Sequence, residues 1–273
     1  MPISSNPNVI VKSKVKPNSM IQTIERVMLI LDVLSKNSKG ISLGALAATV
    51  GLPKGSVHRL LSSLSYFDVV RQASETRKYS LGFKLVELAN ILLEQIDIRK
   101  EAEPFLQDLS FKTSETVYLV ILDRTEVVYL DRIEPNDPSL GLKAMSKVGQ
   151  RNAANSCSVG KVLLAYLPEK ILEETLKEMP FIAKTENTIT DPMQFKEHLR
   201  GVRNRGYALD DEESEKGIRC VAAPIFKEHG QAIAAISISG PAIRVTRQRI
   251  QREFKDQVME TAIQISGKIG YHN

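Results

Sequence analysis

The stretch LPKGSVHRLLSSLSY, residues 52–66, decides the fold of the N-terminal part of the chain. Its apolar residues recur every three or four positions, which predicts an amphipathic helix from about Lys54 to Tyr66. The predicted buried stripe consists of Val57, Leu60, Leu61 and Leu64, and the opposite face carries Gly55, Ser56, His58, Arg59, Ser62 and Ser63. One side of this helix is therefore free to contact another molecule.

The segments on either side of this helix predict a winged helix-turn-helix. Two helices precede it, and the second is short, with Ser42 as its N-cap and Gly51 as its C-terminal stop. After it, the stretches FDVVRQ (67–72) and RKYSL (77–81) flank a polar turn, which predicts a β-hairpin. Helix, turn, helix and hairpin in this order are typical of DNA-binding domains whose last helix enters the major groove.

The residue types on the outward face suit contacts to DNA. Arg59 can pair bidentately with guanine, while Ser56 and His58 offer shorter donors and acceptors, and Lys54 suits a phosphate. The candidate DNA-binding residues are Ser42, Lys54, Gly55, Ser56, His58, Arg59 and, in the hairpin, Arg77, Lys78 and Tyr79. The alternative is a helical hairpin that mediates only protein contacts, which we disfavour because the outward face and the hairpin tip are both basic.

The net charge of +5 is distributed unevenly along the chain. Residues 1–80 contain eleven Lys or Arg and four Asp or Glu, so the remainder of the chain is slightly acidic. A basic excess confined to one end is what a phosphate-binding module needs, because neutralising DNA phosphates releases counterions. The alternative is an ordinary solvated surface, since charge asymmetry by itself is a weak indicator.

Length and composition limit the class of protein. A chain of 273 residues with 42% hydrophobic and 25% charged residues predicts two globular domains. Two cysteines are too few for a disulfide framework or a four-cysteine zinc site, and no metal or cofactor motif is present. The sequence contains no apolar run long enough for a membrane span and no signal-peptide pattern, so we expect a cytoplasmic protein that does not bind membranes.

The C-terminal part alternates strands and helices and predicts an α+β domain around a largely antiparallel sheet. In the strand AIAAISIS, Ser237 and Ser239 share one face by the two-residue period. Two hydroxyls in so apolar a strand indicate a wet cavity or a ligand, although they can instead bond to neighbouring loops.

A second candidate element is the small, polar stretch from Asn155 to Gly160, which leads into an apolar helix. The first amides of a helix lack helical partners, so those of Ser158, Val159 and Gly160 can accept a carboxylate. The simpler alternative is an ordinary N-cap by Ser156 or Ser158.

Two other classes of function remain open at this point. An enzyme would use Cys157 or Cys220 as nucleophile with a histidine base, but the four histidines His58, His198, His229 and His272 have no partner motif. A DNA-architectural protein without a ligand would leave the C-terminal serines as structural residues. Stabilisation of the protein by 2-oxo acids or sugar acids distinguishes the sensing protein from the architectural one.

The chain resembles the IclR family of bacterial transcriptional regulators from about Thr23 to Gly270. The motifs that carry the resemblance are TIERVMLILDVL, LPKGSVHRLLSSL, KYSLGFKLVELA, ETVYLVILDRTEVVYLDRIE, SVGKVLLAYLP, TITDP, RGYALDDEESEKGIRCVAAPI and ISISGP, in this order. The stretch GQRNAANSCSVGKVLLAY and the terminal GYH are similar to the regulators of ketodeoxygluconate and hexuronate catabolism. Two positions depart from the family: Gly55 replaces a small hydroxyl residue, and Arg77 replaces a glycine in the wing.

The resemblance implies a GAF-like sensing domain whose small effector is surrounded by the residues at Ser158, Val159, Asp210, Cys220, Ser237 and Ser239. It implies a domain plan of a disordered arm (1–18), a winged helix-turn-helix (19–82), a linker helix (83–97) and an effector-binding and oligomerisation domain (98–273). It further implies a repressor that acts as a homodimer or homotetramer on double-stranded operator DNA. We expect no catalytic residues and no cofactor, and a small carboxylate, either a 2-oxo acid or a sugar-derived acid such as ketodeoxygluconate, as the effector.

Overall fold

The computed structural model describes residues 19–94, 97–135 and 146–271. Its contacts divide these residues into two compact units, one that ends before Asp97 and one that begins there. The predicted arm 1–18 and His272 lie outside the described residues.

The N-terminal unit has the predicted order of three helices and a hairpin. Its elements are α1 (Gln22–Ser35), α2 (Leu43–Val50), α3 (Lys54–Tyr66), β1 (Val70–Gln72), β2 (Tyr79–Leu81) and α4 (Lys84–Glu94). Ile30, Leu46 and Leu61 are fully buried where the first three helices meet. Gly51 ends α2 with a φ of 65°, a left-handed conformation that glycine adopts without strain.

The C-terminal unit is built around one six-stranded sheet. Its elements are α5 (Asp97–Thr113), β3 (Thr116–Asp123), β4 (Glu126–Ile133), β5 (Arg151–Ala153), α6 (Ser158–Ala165), α7 (Glu169–Glu178), α8 (Pro192–Arg205), β6 (Ala208–Asp211), β7 (Ile218–Lys227), β8 (Gln231–Pro241), α9 (Arg247–Arg249), a π-helical turn (Ile250–Phe254) and α10 (Lys255–Lys268). The strand order is β5-β4-β3-β8-β7-β6, and all neighbours are antiparallel. The prediction of a largely antiparallel α+β domain is confirmed.

The two faces of this sheet are covered by different helices. α5 packs on β3 and β4, and α10 packs on β7 and β8. On the other face, Tyr118, Val120 and Leu122 of β3 share a core with α6, α7 and α8. Because side chains alternate along a strand, the serines of β8 that share a face with Tyr118 lie on the α6 side.

His198 of α8 makes the stability of the C-terminal unit depend on pH. Burial, assisted by the charges of Lys161 and Arg205, lowers the pKa of this histidine from 6.5 to about 4. Its Nε2 is buried without a hydrogen-bond partner in the described residues. The unfolded chain therefore binds a proton that the folded chain rejects, which favours unfolding as the pH falls from 6.5 to 4.

We expect the free energy of unfolding to fall by roughly 1 to 2 kcal/mol across this window, less than the full shift because the ring is only half-buried. Urea unfolding at a series of pH values measures the change. His198→Leu should remove this part of the pH dependence. If the variant keeps the wild-type pH profile, another group is responsible.

Candidate functional site

The outward face of α3 is exposed as the sequence predicted. Lys54, Gly55, His58 and Arg59 are exposed and Ser56 is partly exposed, while Val57 on the opposite side is fully buried. The hydroxyls of Ser62 and Ser63 lie further along the face and donate to the carbonyl oxygens of His58 and Arg59, at 2.9 and 3.1 Å. The free side chains are therefore concentrated in the first two turns of the helix.

The basic residues of this surface differ from those of the C-terminal unit in their ion pairing. Lys54, Arg59 and Arg77 form no ion pair with an acidic side chain within the described part of the chain. In the C-terminal unit, by contrast, Arg219 is held by Asp211 at 2.6 Å and by Glu212 at 3.1 Å. Unpaired cations keep their affinity for phosphates, because no internal carboxylate has to be displaced.

The wing between β1 and β2 presents Arg77 and Lys78 to solvent. Arg77 adopts a φ of 55°, and its carbonyl oxygen accepts a hydrogen bond of 2.9 Å from Gln72 Nε2. This left-handed conformation favours glycine, since a side chain there costs roughly 1 to 2 kcal/mol. The strained arginine adds a cation at the wing tip.

Tyr79 was expected to face DNA, and this expectation is wrong. Its side chain is only 6% exposed and belongs to the core of the N-terminal unit. Its backbone pairs with Ile41, with N–H···O distances of 2.8 and 3.0 Å. Strand alternation turns Tyr79 inward once Lys78 points outward.

Ser42 and Gly55 occupy structural positions within the candidate surface. Ser42 is exposed, but its Oγ accepts the Ala45 amide at 3.4 Å and caps α2. A Cβ added to Gly55 would meet nothing within 4 Å, so packing within this unit does not require glycine there. The missing side chain leaves the backbone of the first turn of α3 open to a close partner.

A polar cavity of about 130 Å³ lies in the C-terminal unit, between the sheet and the start of α6. Six of the seven predicted effector residues line it, namely Ser158, Val159, Asp210, Cys220, Ser237 and Ser239. Strand register brings them together, since Cys220 lies opposite both Asp210 on β6 and Ser239 on β8. Ser237 and Ser239 are each 2% exposed, and their Oγ atoms lie 3.3 Å apart.

The N-terminus of α6 contributes backbone donors to this cavity. Cys157 is the N-cap, and its side chain makes no capping bond. Ser158 and Val159 are buried, and their amides have no hydrogen-bond acceptor among the described residues. Buried amides without acceptors are rare in proteins, and at a helix N-terminus they favour an anion.

Gly160 is the seventh predicted effector residue, and it does not line the cavity. A Cβ at this position would lie 2.2 Å from the carbonyl oxygen of Ala154. The glycine is therefore required by the close approach of α6 to the preceding turn. The prediction placed Gly160 with its two neighbours because sequence alone does not show which amides of the first turn face the cavity.

Asp210 lines the cavity and already accepts three hydrogen bonds from its own loop. Its carboxylate accepts the amides of Glu213 and Ser214, at 2.8 and 3.2 Å, and also the Ser214 hydroxyl. Burial raises the pKa of Asp210 above its ordinary value, although these donors and Lys161 act in the opposite direction. These hydrogen bonds show that Asp210 holds the loop after β6 in its conformation.

A buried ion pair fastens the same loop to α6. Lys161 is 0% exposed; its Nζ donates to the Leu209 carbonyl oxygen at 2.9 Å and to Glu213 Oε1. The Thr188 hydroxyl donates to the backbone oxygen of Glu213 at 2.7 Å. Lys161 lies on α6 one turn after Ser158 and Val159. Its bonds therefore link the start of α6 to the loop after β6, and both elements line the cavity.

The two thiols of the cavity are poor nucleophiles. Burial raises the pKa of Cys157 to about 12, with the Gly160 amide beside the sulfur acting in the opposite direction. Burial also raises the pKa of Cys220 well above its ordinary value, and the charge of Asp210 adds to the effect. Among the described residues that line the cavity, none is a histidine.

Sequence reasoning missed eight polar residues of the cavity, namely Tyr118, Tyr129, Ser146, Gln150, Asn152, Lys184, Ser214 and Glu215. The tyrosine rings pack edge to face with centroids 5.0 Å apart, and Lys184 Nζ bonds to Asn152 Oδ1. A tyrosine in each of two strongly apolar strands was the available signal. Lys184 lies in an irregular segment, and the sequence contains no pattern that places it here.

Within the residues that the structure covers, no cluster of three or more His, Cys, Asp or Glu side chains is arranged to hold a metal ion. No described helix combines the length and apolarity needed to cross a bilayer.

Comparison with known proteins matches both units to one family. Residues 23–74 match the IclR helix-turn-helix domain, and residues 91–267 match the bacterial transcriptional regulator IclR C-terminal domain. Two HTH-type transcriptional regulators of Escherichia coli (strain K12) are each 34% identical: XynR over 92% of this chain and 98% of its own, and KdgR over 94% and 96%. The crystal structure of Thermotoga maritima IclR, 35% identical, covers 92% of this chain and 100% of its own with a TM-score of 0.77. The resemblance predicted from the sequence motifs is confirmed.

Proposed function

The chain belongs to the IclR family of bacterial transcriptional regulators, and on that premise we propose that a small carboxylate held in the C-terminal cavity controls its affinity for operator DNA. The DNA is bound by α3 and the wing. The observation that carries the proposal is that Ser158 and Val159, two buried residues at the start of α6, line a polar cavity while their amides have no acceptor among the described residues.

The DNA-binding half of the proposal rests on unpaired cations at the positions that a winged helix-turn-helix presents to DNA. Arg59 reads a base edge in the major groove, and Lys54 contacts a phosphate beside the helix start. Arg77 and Lys78 reach the backbone or the minor groove from the wing. Ser56 and His58 supply further contacts near the start of the helix.

The amides, hydroxyls and lysine of the cavity support an acid as the effector, while two acidic residues that line it, Asp210 and Glu215, oppose one. The amides of α6 take the carboxylate, Lys184 adds a positive charge at the cavity, and the hydroxyls of Ser237 and Ser239 bind further oxygens. A volume of about 130 Å³ is slightly smaller than the ~150 Å³ cavity that holds benzene, so it suits about six non-hydrogen atoms.

The effector changes DNA binding by preferring one state of the regulator over another. A ligand shifts such an equilibrium only by the difference between its affinities for the two states. We propose that the protein is a repressor in the cytoplasm, that it acts as a homodimer or homotetramer, and that the acid alters its affinity for the operator. We propose no catalytic role for the protein, because burial raises the pKa of both cavity thiols and no described residue that lines the cavity is a histidine.

Ser239→Leu tests the effector site. The larger side chain fills the cavity, so we expect the variant to bind DNA with wild-type affinity and to lose its response to the acid. The measurement is a gel shift on the DNA upstream of the protein's own gene, with pyruvate or D-glucuronate added, and thermal unfolding confirms that the variant is folded. A variant that still responds to the acid would place the effector elsewhere. Failure of wild-type protein to respond to any acid would favour a regulator without a ligand.

A further inference from the structure

The hydroxyl of Tyr118 is a buried polar group in a residue that lines the cavity. Tyr118 is 2% exposed, and its Oη makes no hydrogen bond of ordinary geometry to any described residue. Burial raises the pKa of Tyr118 to about 12, so the group is a protonated donor at neutral pH. A buried hydroxyl without a partner destabilises the folded state, because it has lost its hydrogen bonds to water, and this is a reason to look for an acceptor.

The position of this hydroxyl is on the cavity side of the sheet. Tyr118 lines the cavity, and it lies opposite Ser237 in the register of β3 and β8. The polar groups of Ser146 lie near enough to lower the pKa of the hydroxyl, although none meets the geometry of a hydrogen bond, and Ser146 and Cys220 both line the same cavity. The ring itself is fixed by its edge-to-face contact with Tyr129, with centroids 5.0 Å apart.

We propose that Tyr118 donates a hydrogen bond to an oxygen of the effector outside its carboxylate, and thereby selects short 2-oxo or 2-hydroxy acids over simple alkanoates. This inference rests on the proposed function, because it assumes that the carboxylate is held by Ser158 and Val159. The amides recognise any small acid. Tyr118 supplies the second point of recognition, which a fatty acid of the same length cannot satisfy.

The stability of ligand-free Tyr118→Phe distinguishes this role from a purely structural role of the hydroxyl, because the two roles predict changes of opposite sign. If the hydroxyl has a structural partner, Tyr118→Phe removes a hydrogen bond and lowers stability. If the acceptor arrives with the ligand, the variant replaces an unsatisfied polar atom by an apolar edge of the same shape. We therefore expect the urea midpoint of the ligand-free variant to equal or exceed that of the wild type.

The binding experiment uses pyruvate and propionate, which differ by the ketone oxygen, with affinities measured by isothermal titration calorimetry on the full chain. The ring acids D-glucuronate and cyclohexanecarboxylate form a second pair for a larger effector. In the wild type we expect the oxygenated acid of the effective pair to bind more tightly. In Tyr118→Phe the ratio of the two affinities should fall about tenfold. The affinity for the deoxygenated acid itself should change little.

Tyr166→Phe is the matched control. Its hydroxyl donates to the Arg203 carbonyl oxygen at 3.3 Å, and Tyr166 does not line the cavity. This variant should keep the wild-type preference between the paired acids.

The outcomes separate the two proposals. Lower affinity of Tyr118→Phe for the oxygenated acid, together with undiminished stability, supports the role of Tyr118. Equal binding of both acids by the wild type, or a loss of stability in ligand-free Tyr118→Phe, overturns that role while leaving the carboxylate site intact. Absence of binding by all four acids overturns both.

Discussion

Replacing Arg59 with alanine is expected to weaken operator binding about 5- to 150-fold, which corresponds to roughly 1 to 3 kcal/mol. The side chain is exposed on the first two turns of α3 and has no ion pair in the described residues. Val57 and Leu61, both 0% exposed, hold the opposite side of the helix in place. The loss should be confined to the specific site, because a bidentate guanidinium reads a base edge rather than a phosphate.

Two further variants distinguish base reading from phosphate contact. Arg59→Lys keeps the charge and loses the planar fork, so it should retain non-specific binding and lose discrimination between operator and random duplex. Lys54→Ala should weaken both duplexes alike and lower the salt slope by about one. Fluorescence anisotropy at several salt concentrations measures all of them. If Arg59→Ala weakens the two duplexes equally, Arg59 contacts a phosphate and another residue reads the bases.

Lys161→Met is expected to lower the free energy of unfolding by about 3 to 5 kcal/mol. Lys161 is 0% exposed and its main partner, Glu213, is 6% exposed, so the change leaves a buried carboxylate without its cation. Burial already raises the pKa of Glu213, with Lys161 acting against that rise. Removing the cation raises it further, and the folded state then binds the proton more tightly than the unfolded chain does.

The direction of the pKa shift of Glu213 predicts how the effect of Lys161→Met on stability depends on pH. A raised folded pKa favours the folded state at low pH and is unfavourable once the pH exceeds it, so the loss of stability should shrink as the pH is lowered toward 4.5. The double variant Lys161→Met with Glu213→Gln removes both charges and should recover most of the loss. Urea unfolding of the three proteins is the measurement. A double variant as unstable as Lys161→Met would show that packing of the lysine stem, rather than the ion pair, is what matters.

Local periodicity was sufficient to predict which way a side chain points where its position depends on a single helix or strand. The stripe of α3 predicted which of its side chains are exposed, and the two-residue period of β8 placed Ser237 and Ser239 on one face. The same rule, applied to the short strand β2, would have turned Tyr79 inward. The basic neighbours of Tyr79 drew it into the predicted DNA surface, although their charge says nothing about its direction.

Sequence reasoning was insufficient where a site depends on the pairing of distant strands. Tyr118 meets the cavity because β3 pairs with β8, and nothing near Tyr118 in the sequence specifies that register. Gly160 was misplaced for a related reason, since its contact is with the carbonyl of Ala154 and not with the cavity. Lys161 did leave a signal, because it is the one charged residue in the apolar stretch SVGKVLLA.

The coupling between the cavity and the DNA surface is tested most directly by measuring the affinity for the effector twice. Titration of pyruvate into the free protein and into the protein saturated with operator duplex gives two dissociation constants. We expect them to differ by the same factor by which saturating pyruvate changes the dissociation constant of the duplex, because linkage is reciprocal. Equal affinity for pyruvate in the two titrations, with both ligands bound, would contradict regulation of DNA binding through this cavity.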